Sequence, residues 1–248
     1  MTLKARKLSL LWRNVFMPIS SISVKSVSQF DLPSDKTEIK NANVPLGSIE
    51  KTDKSLTIDG IVFSVYTCEY SKDISDDISV FVNDLDEYKE FSSYKKKFKF
   101  NLFYSDKKRI CFLDTTAPVT KSFLKSLSKT EDVVLDYTNI HLDFNDICDK
   151  FNTTRGIRFS SDDQGVDKKA FNGSDVTENN EATDAISNDN ATQIIGELDV
   201  NSKTYTIMLT TAGSIVSYTK LFDYEKKENP MLEFSIDALN VLGIINFK

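Results

Sequence analysis

The feature that most constrains the fold is a strict alternation of side chains that ends in a basic turn. Residues 97 to 104 divide into two sets, one being Phe98, Phe100, Leu102 and Tyr104 and the other Lys97, Lys99, Asn101 and Phe103. A repeat of two places the sets on opposite faces of a half-buried β-strand. Polar residues 105–108 supply a loop, and residues 109–113 supply a returning apolar strand. This stretch therefore predicts a β-hairpin.

A helix is predicted directly after the hairpin. Pro118 suits the first helical turn because its φ angle is already fixed near the helical value. Apolar side chains recur there every four residues and define a face to be buried, namely Val119, Phe123 and Leu127. A second row with the same spacing lies on a different face and consists of Lys121, Lys125 and Lys129. The helix should therefore carry three ammonium groups in a line.

The hairpin and helix together form the most basic part of an acidic chain. Residues 91–130 contain ten lysines or arginines and only two acids, whereas the whole chain has a net charge of −6. A cationic surface with exposed aromatic rings is typical of phosphate binding with base stacking. The candidate polyanion-binding residues are Lys95, Lys96, Lys97, Lys99, Phe103, Lys107, Lys108, Arg109, Lys121, Lys125 and Lys129. The alternative is that the lysines are solvated and the aromatic residues belong to the core.

Several chemistries are excluded or left without a signature. His141 is the only histidine, so a metal site with two or more histidines is excluded. The three cysteines are Cys68, Cys111 and Cys148, and without a CxxC pair they favour buried thiols or a reducing compartment. The eight glycines form neither GxGxxG nor a phosphate-binding loop. The sequence therefore predicts no catalytic residue, no metal and no cofactor.

Two carboxylate patterns keep a metal-dependent nuclease as an alternative. Glu87-Tyr88-Lys89 matches the ExK triplet of carboxylate-lysine nucleases, but the triplet falls on a predicted helix, where its side chains diverge. Glu197 and Asp199 would lie on one face of a predicted strand and could hold a magnesium ion. The solubility of a strand edge explains this second pair equally well.

The first 30 residues contain no acid and five basic residues, which are Lys4, Arg6, Lys7, Arg13 and Lys25. This composition is compatible with a mitochondrial transit peptide or with a first element of the fold, such as a strand of the sheet.

Residues 31–54 are polar and predict a linker. An Asp59-Gly60 turn predicts a hairpin. The apolar spacing over residues 74–88 predicts an amphipathic helix with an acidic face.

The second half alternates between apolar segments and polar connections. Residues 133–137 predict a buried strand, residues 144–151 a short helix and residues 156–160 another strand. Residues 161–191 contain few large apolar side chains and predict a mobile acidic loop. A three-stranded meander follows over residues 193–222. Pro230 then starts a last helix, and Gly243 is its predicted C-cap.

These patterns predict an α+β fold of antiparallel hairpins and a meander, with amphipathic helices packed on the sheet. They allow a division into an N-terminal segment (1–54), a basic subdomain (55–130) and a second subdomain (131–248). The predicted function is that of a non-enzymatic intracellular binding or regulatory protein for nucleic acid or another polyanion. The alternatives are a protein-interaction subunit of a larger complex and a nuclease. No membrane span is predicted, and the location is cytoplasmic unless residues 1–30 direct the chain to mitochondria.

Overall fold

The computed structural model describes residues 20–41 and 44–245. Most of the segment that resembles a transit peptide lies outside these ranges. The strands of the described chain are β1 Ser20–Asp31, β2 Lys36–Asn41, β3 Val44–Ile58, β4 Ile61–Val82, β5 Glu87–Ser105, β6 Ile110–Leu113, β7 Val134–Asn139, β8 Thr153–Ser160, β9 Lys168–Asn172, β10 Ala191–Val200, β11 Lys203–Thr210 and β12 Ser214–Ser217. The α-helices are α1 Ala117–Leu127, α2 Phe144–Cys148, α3 Asn180–Ser187 and α4 Pro230–Val241.

All twelve strands belong to one antiparallel sheet. Its order is β2-β3-β4-β5-β6-β1-β12-β11-β10-β8-β9, and β7 pairs with β1. Strand β1 is central because it pairs with β6 on one side and with β12 and then β7 on the other. The fold is therefore dominated by the sheet, with four helices in the described part of the chain. The division into subdomains remains a prediction.

The central strands separate two hydrophobic cores. Strand β6 shows this arrangement because all four of its residues are buried. Ile110 and Phe112 face one core, which we call the α4-side core, and Cys111 and Leu113 face the α1-side core. Successive side chains of a strand point to opposite faces, so both faces of the sheet are covered here.

Aromatic contacts hold one helix against each face. Phe123 of α1 lies 5.1 Å from Phe100 and 5.9 Å from Tyr70, measured between ring centroids. On the other face, the ring centroid of Phe234 in α4 lies 4.9 Å from that of Tyr205 in β11. These edge-on and tilted arrangements are the favourable ones for aromatic pairs. Both helices are thus fixed to strands by large buried side chains.

The strongest local signals in the sequence are confirmed. Strands β5 and β6 form the predicted hairpin, and α1 begins one residue before Pro118. Asp59 and Gly60 have φ angles of 49° and 76°, as a tight two-residue hairpin turn requires. Gly243 follows α4 with a φ angle of 66°, which is the backbone conformation expected of a C-cap glycine.

The predicted helix over residues 74–88 is wrong. The segment contains the end of β4, a turn and the start of β5, so its apolar residues meet across the strands instead of along a helix. Ile74 faces Tyr94, and Ile78 faces Phe91. A β-bulge between Ser75 and Ile78 inserts an extra residue into β4. The inserted residue breaks the period of two and produces a spacing that imitates a helix.

These two strands continue beyond the rest of the sheet. Strand β3 pairs with β4 only as far as Tyr70, and β6 pairs with β5 only from Leu102. Within the described chain, residues 71–82 and 87–97 therefore pair only with each other. We call this two-stranded extension the β4–β5 arm.

The predicted linker and the predicted mobile loop are also structured. Residues 36–58 contain β2 and β3, which bury Ile39 and Ile49 against the α1-side core. The acidic segment contains β9 and α3, and α3 buries Ala182, Ala185 and Ile186. These small apolar residues are enough to hold the helix in place, because the side chain of Asn179 also stabilises it by capping its first turn. The low content of large apolar residues was therefore misleading.

Two strand predictions need smaller corrections. Strand β7 was expected to be buried, but it pairs only with β1 among the described strands and its exposed residues alternate with half-buried ones. Strand β12 ends at Ser217 rather than at residue 222, and the Ser217 hydroxyl donates a hydrogen bond to the carbonyl oxygen of Thr219.

In the described ranges, no helix is long and apolar enough to cross a membrane.

Gly213 is required where β12 gives way to β7 as the neighbour of β1. Its φ angle is +74°, and an added Cβ would lie 2.4 Å from the carbonyl oxygen of Val24. We expect Gly213→Ala to lower the free energy of unfolding by more than about 2 kcal/mol, since left-handed strain and a backbone clash combine. Urea denaturation measures this change.

Gly165→Ala is the matched control for that substitution. Gly165 has a φ angle of +78°, but no atom lies within 4 Å of its added Cβ. The free energy of unfolding of Gly165→Ala should therefore fall only by the cost of left-handed backbone strain, roughly 1–2 kcal/mol. Equal losses for the two variants would show that the close approach to Val24 is unimportant.

Candidate polyanion-binding surface

The predicted lysines of β5 divide between the two faces of that strand. Lys95, Lys97 and Lys99 project from one face because they are two residues apart, and Lys96 projects from the other. All four side chains are exposed. The structure therefore does not bring them together on a single surface.

Every lysine on the face with three lysines forms an ion pair with a carboxylate of β4. The side chain of Glu69 forms ion pairs with Lys97 and with Lys99, and the second pair has an N–O distance of 2.8 Å. Lys95 lies 3.8 Å from Asp73. Hydrogen bonds from Lys97 and Lys99 lower the pKa of Glu69 to about 2. Each of these lysines thus has an acidic partner across the strands, with Glu69 shared between two of them.

The opposite face carries an unbalanced charge. Lys96 stands directly across from Lys72 in the strand register, and like charges in that position repel each other. The Lys96 ammonium lies 5.4 Å from the centroid of the Phe98 ring, a cation–π contact. Neither lysine forms an ion pair with a residue of the described ranges. Sequence inspection missed Lys72, because only the strand register places it opposite Lys96.

Helix α1 adds its lysine row on this same side of the sheet. Phe123 packs on Phe100, which shares its face of β5 with Lys96. Lys121 and Lys125 lie on α1, whereas Lys129 lies in the turn after the helix, which ends at Leu127 and not beyond it as the sequence predicted. All three lysines are exposed, and none forms an ion pair in the part of the chain that the structure describes. We define the α1-side lysines as Lys72, Lys96, Lys121, Lys125 and Lys129.

Phe103 does not serve as a stacking platform, which corrects one prediction. Its side chain is only 1% exposed, and it lies opposite Phe112 within the α4-side core. Both neighbouring strands and the covering core shield the ring, so it cannot reach a base. The alternation in the sequence placed Phe103 on the lysine face correctly but did not show that the sheet is covered there.

The basic turn after β5 lies at a different place. Residues 96 and 105 are nine residues apart on an extended strand, which corresponds to about 30 Å. Lys108 and Arg109 line a cleft of about 660 Å³ together with Lys150, Asp143 and Asp146. The guanidinium of Arg109 donates a hydrogen bond to the carbonyl oxygen of Ser28 over 3.0 Å. Lys107 is exposed in the same turn, so the turn residues are separated from Lys96 and from Lys72 opposite it.

The candidate nuclease carboxylates do not converge. Glu87 and Lys89 lie on a strand, contrary to the sequence prediction, but they form an ion pair of 2.5 Å with each other. Glu197 binds Arg155 over 3.0 Å, and Asp199 accepts a hydrogen bond from a threonine hydroxyl. Among the described residues, no group of three or more histidine, cysteine or acidic side chains could hold a metal ion.

The pairing of Glu69 gives a testable pH dependence. Its pKa is lowered in the folded state, so the stabilisation is present above the unfolded pKa and is lost as pH falls toward about 2. NMR titration of the Glu69 carboxyl carbon should show this low pKa. Lys97→Gln with Lys99→Gln should raise the pKa toward 4.5, whereas Lys95→Gln should leave it unchanged because Lys95 pairs with Asp73. An unchanged pKa in the double variant would contradict the assignment.

Comparisons with known proteins add no identification. No protein-family model matches the sequence, and no curated protein is significantly similar to it. Function is therefore inferred from the charges and contacts of the surfaces described above.

Proposed function

We propose that this chain is a non-enzymatic binding protein that engages nucleic acid or a similar polyanion through the α1-side lysines. One observation carries the proposal: these five cations lack acidic partners in the described chain, whereas Lys95, Lys97 and Lys99 on the opposite face have them. Unbalanced ammonium groups gain most from phosphate oxygens, because binding releases condensed counterions and relieves the repulsion between Lys72 and Lys96.

The expected recognition is of the backbone rather than of the bases. The stacking residue that the sequence predicted, Phe103, is buried. Phosphate contacts position a protein on nucleic acid but carry no sequence information themselves. With five lysines engaged, the slope of log affinity against log salt should not exceed about 4.5 in magnitude for a duplex.

The free thiols of Cys68 and Cys111 suit a reducing compartment, which supports a cytoplasmic location as part of the proposal.

Binding of a fluorescein-labelled oligonucleotide, followed by anisotropy across a salt series, tests the proposal. Lys125→Gln with Lys129→Gln should weaken binding and reduce the magnitude of the salt slope by about 1.4–1.8, since two phosphate contacts are lost. Lys97→Gln with Lys99→Gln removes the same charge from the ion-paired face. This matched control should retain most of the wild-type affinity and slope.

Two results would contradict the proposal. One is the absence of salt-dependent binding by the wild-type chain at low ionic strength. The other is equal weakening by the two double variants, which would show that net charge alone governs the interaction. Circular dichroism of each variant confirms that the fold is retained.

A second candidate function is suggested by the end of the β4–β5 arm. Phe81 and Tyr88 are 43% and 70% exposed there, and their ring centroids lie 5.1 Å apart. Val80, Leu85 and Phe91 are exposed in the same region. Several large apolar side chains grouped on a projecting element are typical of a protein-interaction site.

The charge of the arm end points to a second copy of this chain as the partner. Residues 76–90 contain six carboxylates and one lysine. The α1-side lysines provide five positive charges on the same molecule. In a two-fold dimer, the arm end of each copy would lie against the α1-side lysines of the other, because such interfaces are self-complementary. This arrangement covers the exposed rings and balances both charges.

Sedimentation velocity over a concentration series tests self-association. We expect a dimer at low salt that dissociates as salt is added, since charge attraction contributes to it. Phe81→Ser with Tyr88→Ser should shift the chain to a monomer. Val62→Ser is the control, because Val62 is a 56% exposed residue of β4 outside the arm. A wild-type chain that is monomeric at every concentration would overturn this second candidate without affecting the first.

A further inference from the structure

Strand β1 carries a buried lysine at the seam of the sheet. Lys25 is only 7% exposed and lies in register with Cys111 of β6 and Asn139 of β7. Its ammonium nitrogen donates hydrogen bonds of 2.6 Å to the side-chain oxygen of Asn139 and to the carbonyl oxygen of Ala212. Both acceptors are neutral, and an ammonium group has a third N–H to donate.

The charge of Lys25 is not matched by an acidic partner among the described residues. The lysine forms no ion pair with any residue of ranges 20–41 and 44–245. Burial raises the pKa of the neighbouring Cys111 thiol to about 12, so this thiol is neutral at pH 7. Burial also lowers the pKa of Lys25 itself, which reflects the cost of an isolated cation. Proteins normally pair a buried charge or hydrogen-bond it fully.

A cavity of about 520 Å³ opens beside this lysine, between β1 and the first turn of α1. Its cationic lining residues are Lys25 and Lys121, and none of the residues that line it is acidic. Ala117, Pro118 and Ala212 contribute apolar surface. Thr120 also lines the cavity, and its buried hydroxyl has no hydrogen-bond partner. The volume falls within the usual range for small-molecule sites.

We propose that this cavity binds a small organic carboxylate with an apolar body. The carboxylate accepts a hydrogen bond from the free N–H of Lys25 and one from the Thr120 hydroxyl. The apolar body lies against Ala117, Pro118 and Ala212. Such a ligand supplies the missing negative charge, satisfies the unpartnered hydroxyl and fills a pocket that is largely apolar.

This site is independent of the proposed polyanion surface. A phosphate polymer would contact exposed ammonium groups on the outside of α1, whereas Lys25 lies beneath the helix and is nearly inaccessible. Lys121 borders both features, so it is unsuitable for separating them. Substitutions at Lys25 and Ala117 address the cavity alone.

Isothermal titration calorimetry of the full chain tests the proposal with octanoate and 2-naphthoate as probes. The neutral amides of the same acids are the matched ligand controls. Both carboxylates should bind at least about tenfold more tightly than their amides, because a charged hydrogen bond is lost in each amide. Lys25→Met should weaken carboxylate binding by about ten- to a hundredfold. Ala117→Leu should abolish it by filling the cavity while leaving both hydrogen bonds of Lys25 in place.

Lys99→Met is the control for loss of a lysine, since Lys99 lies on the opposite face of the sheet; it should bind like the wild type. If circular dichroism shows that Lys25→Met is unfolded, the decision rests on the carboxylate-to-amide ratio and on Ala117→Leu. The proposal is overturned if neither carboxylate binds, if acids and amides bind equally, or if a folded Lys25→Met or Ala117→Leu variant binds like the wild type.

Discussion

Ile110 and Phe112 point into one hydrophobic core while Cys111 and Leu113 point into the other, and the rest of the structure depends on this two-sided burial. A strand covered on both faces cannot slip in register without moving its side chains into the wrong core. Strand β6 therefore fixes its neighbours β1 and β5. Helices α1 and α4 then pack against faces whose composition the central strands have already set.

The same alternation determines where positive charge accumulates. Each lysine of β5 is assigned to a face by its position in the strand, and carboxylates of β4 form ion pairs with the lysines of only one face. Helix α1 carries no acid and packs on the other face. An acidic chain thus acquires one side with unbalanced cations, and the buried Lys25 lies on that side beneath the helix. The proposed polyanion surface and the proposed carboxylate cavity both lie on this side of the sheet.

The sequence by itself determined the elements whose signals are local. The Asp59-Gly60 turn, the hairpin of β5 and β6, and the helices that begin near Pro118 and Pro230 each depend on a few adjacent residues. Backbone preferences of glycine and proline and simple periodicity are sufficient for such elements. Four of the five α1-side lysines were also identified from the sequence, because a high local density of basic residues is visible without a structure.

Only the tertiary structure decided the arm, the ordered acidic segment and the partners of each lysine. A bulge in β4 produced a helical spacing of apolar residues in a strand. An N-cap and the burial of small apolar residues together stabilise α3. Glu69 pairs with Lys97 and Lys99, which are 28 and 30 residues away in the sequence. The isolation of Lys25 depends on several segments that surround it at once. Such contacts follow from strand register and burial, which are properties of the assembled sheet rather than of any one segment.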